Sequence, residues 1–389
     1  MQNIYVFVVC GGLEHINTLH YSLPFFKKRT QNPIWVVSDS TRNESPVVHS
    51  DIIDVKVPAE YDNHQASIWL KTNLHNLLPK GNRYVYLDTD ILAIGSQSDA
   101  IFEQYIPPIR FAADHCKMKQ FSPYAVNCMC LPTHTAYRER VNALLEQQDP
   151  LSGTEEIFLL EKRNELQRIF ATIKSNKLMV LSTAIRFFTS GNRFMLTKEF
   201  YFDKSAKVWC GSDGTPVMYQ VDMRKIAKVA GLKYIPIKND IVGKDGKSIW
   251  VDSCNHLAQC IENKFQIPIG NKNWQHWNGG VFLFSDESHV FMQMWHELTI
   301  EIFKDPEWKT RDQGTLIATV WKLGLQNHPV LDETWNFIAD YGSKNLFLNE
   351  AKTAITRDAN LFIHPEFIHI YHHFGDEKWD VWNWAKNKM

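Results

Sequence analysis

Apolar and polar positions alternate between two periods along the first third of the chain. Ile4–Cys10 is an unbroken apolar run of strand length that ends at Gly11-Gly12, and it reads as a buried strand. His15–Arg29 follows with helical spacing, then Pro33–Ser38 and Asp51–Val57 as strands. His64–Leu78 puts Ile68, Leu74, Leu77 and Leu78, with Leu70 at its margin, on roughly one helical face, and Pro79-Lys80-Gly81 stops it before the strand Arg83–Leu87. A further strand is expected at Ile109–Asp114. Such alternation predicts an α/β fold around a mostly parallel sheet flanked by helices. Ligands of open sheets gather at the carboxyl ends of strands, which directs attention to the residues just past Val9 and Leu87.

Regularity is lost over 131–270, which is expected to be a large insertion. Within it, Thr154-Glu155-Glu156 reads as a capped helix start leading through Ile157, Leu160, Leu166, Ile169 and Ile173, and 208–252 carries short strand-like runs. Clear patterning resumes with the strand Val281–Phe284 and helices near Glu287–Phe303 and Asp312–Leu323. The chain therefore divides into 1–130, the insertion 131–270 and a returning segment 271–389. Its end is rich in Trp379, Trp382 and Trp384 beside Lys386 and Lys388, a composition that suits packing over a site and also a membrane surface.

The 389 residues can build one large domain with an elaborate insertion, or two domains of ordinary size. Forty-two basic against 43 acidic residues leave a net charge of −1 and no electrostatic case for a nucleic-acid partner. No apolar run reaches the roughly 18 residues of a membrane span. The first strand lacks the basic start of a signal peptide. Seven cysteines include no Cys-x-x-Cys pair, and Cys10, Cys128 and Cys130 lie in apolar stretches; the expectation is a reducing cytoplasm and no structural zinc.

Chemistry concentrates where the strand Arg83–Leu87 ends in Asp88-Thr89-Asp90. Two carboxylates one residue apart in a turn can face one cation. Hard oxygen donors select Mg²⁺ or Mn²⁺ and leave coordination positions open to phosphate. The same two acids also serve as helix caps or turn formers, so surrounding motifs must decide.

Those motifs, taken in order, resemble the retaining glycosyltransferases of family 8, which have the GT-A fold. Tyr84-Val-Tyr-Leu-Asp88-Thr-Asp90 is similar to the family's strand and metal motif, with Lys71 at the position of a basic donor-binding residue. Asn278-Gly279-Gly280-Val281, Asp312-Gln313 and Trp335-Asn336 are similar to three further signatures, and His372-His-Phe-Gly375-Asp-Glu-Lys378-Trp379 to a fourth that normally carries proline before the tryptophan. The 187 residues between Asp90 and Asn278 exceed what a compact member would have.

The resemblance implies a UDP-sugar donor and a Mn²⁺ or Mg²⁺ ion held by Asp88, Asp90 and His372, with His373 as the neighbouring choice. Lys378 would meet the diphosphate and Gly375 would let backbone approach it. Asp312 and Gln313 would lie beneath the transferred sugar, although Asp312 equally suits a helix cap. Asn278 and Gly279 would bind the sugar or shape a turn, and Val9, Cys10 and Gly11 would receive the nucleotide. A hexose-type sugar would pass to a glycan, glycolipid or protein with retention of configuration, and the insertion would shape the acceptor side. A sugar nucleotidyltransferase is the alternative, but Cys10–Leu13 lacks its long glycine- and basic-rich loop; a catalytically silent nucleotide-sugar-binding module is the other.

Overall fold

The computed structural model describes residues 1–148, 151, 157–340, 346–349, 351–358 and 361–389. They form two compact units: Met1–Cys128 with Ser253–Met389, and Met129–Asp252.

In the first unit, β1 (Asn3–Val9) leads through α1 (Leu13–Lys27) to β2 (Ile34–Ser38) and β3 (Ile52–Asp54). Helix α2 (Asn63–Thr72) precedes β4 (Arg83–Leu87), β5 (Ile91–Ala93) and β6 (Arg110–Ala113). After the chain returns come β7 (Trp277–Phe284), α3 (His289–Glu301), α4 (Arg311–Lys322), β8 (Phe337–Ile338), β9 (Phe367–His369) and α5 (Asp380–Lys386). Six strands form one sheet in the order β3-β2-β1-β4-β7-β6. Its first three pairings are parallel, while β7 runs antiparallel to both β4 and β6. This is the mixed, mostly parallel α/β sheet that the alternating pattern predicts.

Side chains alternate across the sheet, and the two faces bury different sets. On one, Ile4, Val6 and Val8 of β1 join Leu70, Tyr86, Phe282, Trp295 and Leu316, so that α2, α3 and α4 cover it. On the other, Tyr5, Phe7 and Val9 meet Leu19, Leu23 and Phe26 of α1. Trp382 and Trp384 of α5 are buried in this second core, the former 5.1 Å from the Tyr21 ring, so α5 packs on α1. No helix among the described residues is long and apolar enough to cross a membrane.

Several boundaries differ from the sequence reading. The helix expected over 64–78 ends at Asn73, whose φ of −94° and ψ of 5° break the helical path before the short turn Leu74–Leu77. Residues 253–270, expected inside the insertion, belong to the first unit because helix His256–Phe265 buries Leu257, Ala258 and Ile261 in the main core. The second unit contains helices Cys130–Gln148, Ile157–Ser175 and Lys177–Thr189, and a four-stranded antiparallel sheet from Arg193 to Tyr219. The predicted helix start at Thr154-Glu155-Glu156 lies outside the described residues.

Candidate active site

Strands β1 and β4 are hydrogen-bonded parallel neighbours, so their carboxyl ends open side by side. There a cleft of about 350 Å³ is lined by Val8, Val9 and Cys10 from β1, Lys71 from α2, Asp88 and Asp90 after β4, and Asp312 at the start of α4. Gly12, His15, Asn63, His64 and Ser67 complete its rim. Gly11 stands behind this wall at φ +97°, turning the chain from β1 toward α1; a Cβ there would lie 2.7 Å from that of Asn63.

Lys71 joins the two halves of the chain. Its Nζ is 3.2 Å from Asp88 Oδ1 and 3.0 Å from Asp312 Oδ2. Burial opposes its charge, but the two carboxylates outweigh it and raise the Lys71 pKa above the ordinary lysine value. Asp312 is held below the usual carboxylate range by Lys71 despite burial. Tyr86 donates its hydroxyl to Asp88 Oδ1 at 2.6 Å, and burial with the Asp88 charge keeps this phenol protonated far above its usual range. The Cys10 thiol is pushed up to about 11, chiefly by burial, which makes it a wall of the cleft and not a nucleophile.

The imidazole beside the acids is His369. Strand β9 runs antiparallel to β5 with His369 opposite Ile91, and Ile370 N donates to Asp90 O at 3.0 Å. That register brings His369 Nε2 to 3.2 Å from Asp90 Oδ1. Asp88, Asp90 and His369 each offer a ligand atom within 4.8 Å of the others. His372 is placed elsewhere: its side chain is 60% exposed and its Nδ1 is 3.7 Å from Asp340 Oδ1. His373 pairs with Asp376 at 3.2 Å. His372 lies three residues past His369, beyond the end of β9, so the expected third donor stands outside this group. Gly375 and Lys378 are also exposed beyond β9 and do not line the cleft.

A chain of side chains fixes the His369 ring. Asn336 Oδ1 lies 3.2 Å from His369 Nδ1, and because an amide oxygen only accepts, Nδ1 carries the proton. That leaves Nε2, on the Asp90 side, as the nitrogen that would offer its lone pair to a metal. Asn336 Nδ2 donates to Asn278 Oδ1 at 3.0 Å, and Asn278 Nδ2 donates to Asp114 Oδ2 at 3.0 Å. Asn278 Oδ1 also accepts from Gly280 N at 2.9 Å, so Asn278 ties strands together and does not point freely at a ligand. Gly280 permits the crowding: a Cβ there would stand 2.6 Å from His369 Cε1 and 3.0 Å from Asp88 Oδ2.

Gln313 is likewise occupied. Its Oε1 accepts from Gly279 N at 3.0 Å and its Nε2 donates to Trp277 O, so it clamps the β7 backbone. Asp312 makes its ion pair with Lys71 and makes no N-cap, which Thr310 provides by position alone. Four residues near the site escaped the sequence reading: His64, Asp114, His276 and His369. Only His369 carried a legible signal, a lone ionisable residue in the apolar run Phe367-Ile368-His369-Ile370.

The donor set suits a hard divalent ion. It offers two carboxylates and one imidazole, and Asp90 Oδ1 is buried without accepting a hydrogen bond among the described residues. Burial works against its charge, but the neighbouring His369 lowers the Asp90 pKa, and Asp90 in turn raises that of His369.

No family model matches this chain, and no curated sequence does. Among solved structures, it aligns with apo mouse xyloside xylosyltransferase 1 at 9% identity, over 95% of this chain and 98% of that one, with a TM-score of 0.37. It aligns at 8% identity with the apo bifunctional glycosyltransferase WbbM, over 100% of this chain and 49% of that one (TM-score 0.41). With the galactosyltransferase LgtC in complex with donor and acceptor sugar analogues, identity is 9% over 100% and 95% of the two chains (TM-score 0.40). Likeness at this level assigns no activity, which is left to the chemistry of the cleft.

Proposed function

We propose that this chain is a metal-dependent glycosyltransferase that takes a hexose-type sugar from a UDP-sugar, with retention of configuration, and delivers it to a glycan, glycolipid or protein. The observation that carries the reading is the convergence of Asp88, Asp90 and His369 with Lys71 in one cleft at the carboxyl edge of β1 and β4. In this reading Asp88, Asp90 and His369 hold Mn²⁺ or Mg²⁺, which when bound neutralises charge on the departing diphosphate.

The remaining roles fall to the chain's own groups. Val9 and Cys10, both buried against the β1 backbone, form the floor on which the nucleotide rests. Lys71 stays charged and holds Asp88 and Asp312 at fixed positions, so that the acids need not reorganise as the donor binds. Asp312, which lines the cleft, would meet a sugar hydroxyl. Gln313 and Asn278 act by position, fixing the β7 backbone and the Asn336–His369 pair. Lys378 and Gly375 reach the diphosphate only through rearrangement of the segment after β9.

The test is a thermal-shift and hydrolysis screen of nucleotide sugars with and without Mn²⁺. The wild-type protein is expected to respond to a UDP-sugar only with the metal, and Asp88→Ala, Asp90→Ala and His369→Ala to lose that response by at least tenfold in apparent affinity. His372→Ala is the comparison: loss there with an intact response in His369→Ala would move the third ligand to His372. Equal responses from all four variants and the wild type would overturn the metal-dependent reading.

A further inference from the structure

A second cluster of metal-binding side chains lies away from the cleft, at the place where the chain leaves the first unit and returns to it. Cys128 is the last residue before the excursion, and Cys254 is the second after it. Both positions are built into the first unit. Asn127 N donates to Glu307 O at 2.8 Å, and Cys254 N donates to Lys119 O at 2.9 Å. His256 opens the helix His256–Phe265, whose Leu257, Ala258 and Ile261 are fixed in the core.

Cys128, Cys254 and His256 each offer a ligand atom within 4.8 Å of the others. The two sulfurs are 3.9 Å apart, too far for a disulfide. Two thiolates on one tetrahedral Zn²⁺, each with a bond of about 2.3 Å, would be separated by about 3.8 Å. The surroundings of Cys254 match this role. Ser122 Oγ accepts from Leu257 N at 2.9 Å and lies 3.1 Å from Cys254 Sγ. A serine hydroxyl held there can donate to the sulfur once it is a metal-bound thiolate, a buried partner outside the ligand shell.

We propose that Cys128, Cys254 and His256 form a structural zinc site that closes the root of the Met129–Asp252 excursion. Thiolate and imidazole donors select zinc over the Mn²⁺ or Mg²⁺ suited to the Asp88–Asp90–His369 group. Three protein ligands hold the ion, and the sequence offers a further thiolate in Cys130, two residues past Cys128. Each cysteine loses its proton to solvent on binding and no electron is transferred, so no oxidant or reductant is required. The proposal departs from the sequence expectation of no structural zinc, which weighed the absence of a Cys-x-x-Cys pair. Here the ligands arrive as single residues from either side of the excursion, with serine as their support.

The experiment measures zinc in the full chain, purified under reducing conditions without added metal and dialysed against EDTA-free buffer, by inductively coupled plasma mass spectrometry. One zinc per chain is expected in the wild type and in Asp88→Ala, and less than about a tenth of that in Cys128→Ser, Cys254→Ser and the double variant. Co²⁺ exchanged into the wild type should give a sulfur-to-metal charge-transfer band and the strong visible bands of a tetrahedral centre. If the serine variants fail to fold, the wild-type stoichiometry and Co²⁺ spectrum still decide. Wild-type protein with less than a tenth of an equivalent of zinc and no thiolate band with Co²⁺ would overturn the proposal. So would full zinc content in a folded Cys254→Ser, or its loss in Asp88→Ala. Because the readout is metal content, failure here leaves the sugar-transfer reading untouched.

Discussion

At the scale of single residues, the cleft is organised by side chains whose hydrogen bonds leave them one orientation. Asn336 has its amide nitrogen on Asn278 and its oxygen on His369, and so dictates which imidazole nitrogen faces Asp90. Asn336→Ala frees the ring to rotate and to take the other tautomer. Partners of this kind typically account for 10–100-fold in metal affinity, and a loss of about tenfold in Mn²⁺ affinity by calorimetry is expected. An Mn²⁺ affinity equal to the wild type's would show that Asn336 merely fills space. The Asp-x-Asp pair stood out by residue type and spacing, and Lys71 and Asp312 through their similarity to family motifs. His369 was not, because its importance comes from the residue opposite it in another strand.

At the scale of elements, two local devices set the site's geometry. Helix α2 begins with a capping box in which Asp62 accepts from Gln65 N at 2.7 Å and Gln65 Oε1 accepts from Asp62 N at 3.1 Å. That cap fixes the start of the helix that carries Lys71 at its other end. Asp62→Ala should cost about 1 kcal/mol in urea unfolding, as loss of an N-cap typically does; a change below a few tenths would mean that packing of α2 alone holds it. The second device is the three-stranded sheet of β8, β9 and β5, in which β9 is pinned between two partners. A shift of β9 by one residue would turn His369 away from Asp90 and present Ile370 instead. Helices and strands of the main sheet were predictable within a few residues from hydrophobic period. This small sheet was not, since strands of two or three residues carry no period.

At the scale of the whole molecule, the first unit buries two cores on the two faces of its sheet. Several of its buried imidazoles are held neutral. His296, bonded to Thr72 Oγ1 at 2.8 Å between α2 and α3, is lowered to about 4, chiefly by burial, and burial lowers His75 and His276 as well. Between pH 6.5 and about 4 the unfolded chain binds a proton at His296 that the folded chain refuses, so stability falls as pH falls through that window. The contribution from His296 is on the order of 3 kcal/mol at the bottom of the window. His369 works in the opposite direction, since its raised pKa adds stability below its ordinary value that is lost as pH rises through the folded one. Chemical denaturation at pH 7, 6 and 5 should therefore show falling stability in the wild type and a shallower fall in His296→Asn. Parallel slopes in the two proteins would assign the pH dependence elsewhere.

Sequence alone determined the α/β character, the parallel start of the sheet and the place of the acids, because apolar period and strand-end carboxylates are properties of contiguous residues. Tertiary structure decided which imidazole meets those acids, that Gln313 and Asn278 hold backbone in place of facing the cleft, and that Cys128, Cys254 and His256 come together. Each of these depends on strand register or on the closing of a long excursion, and such pairings bring together residues that no spacing along the chain connects.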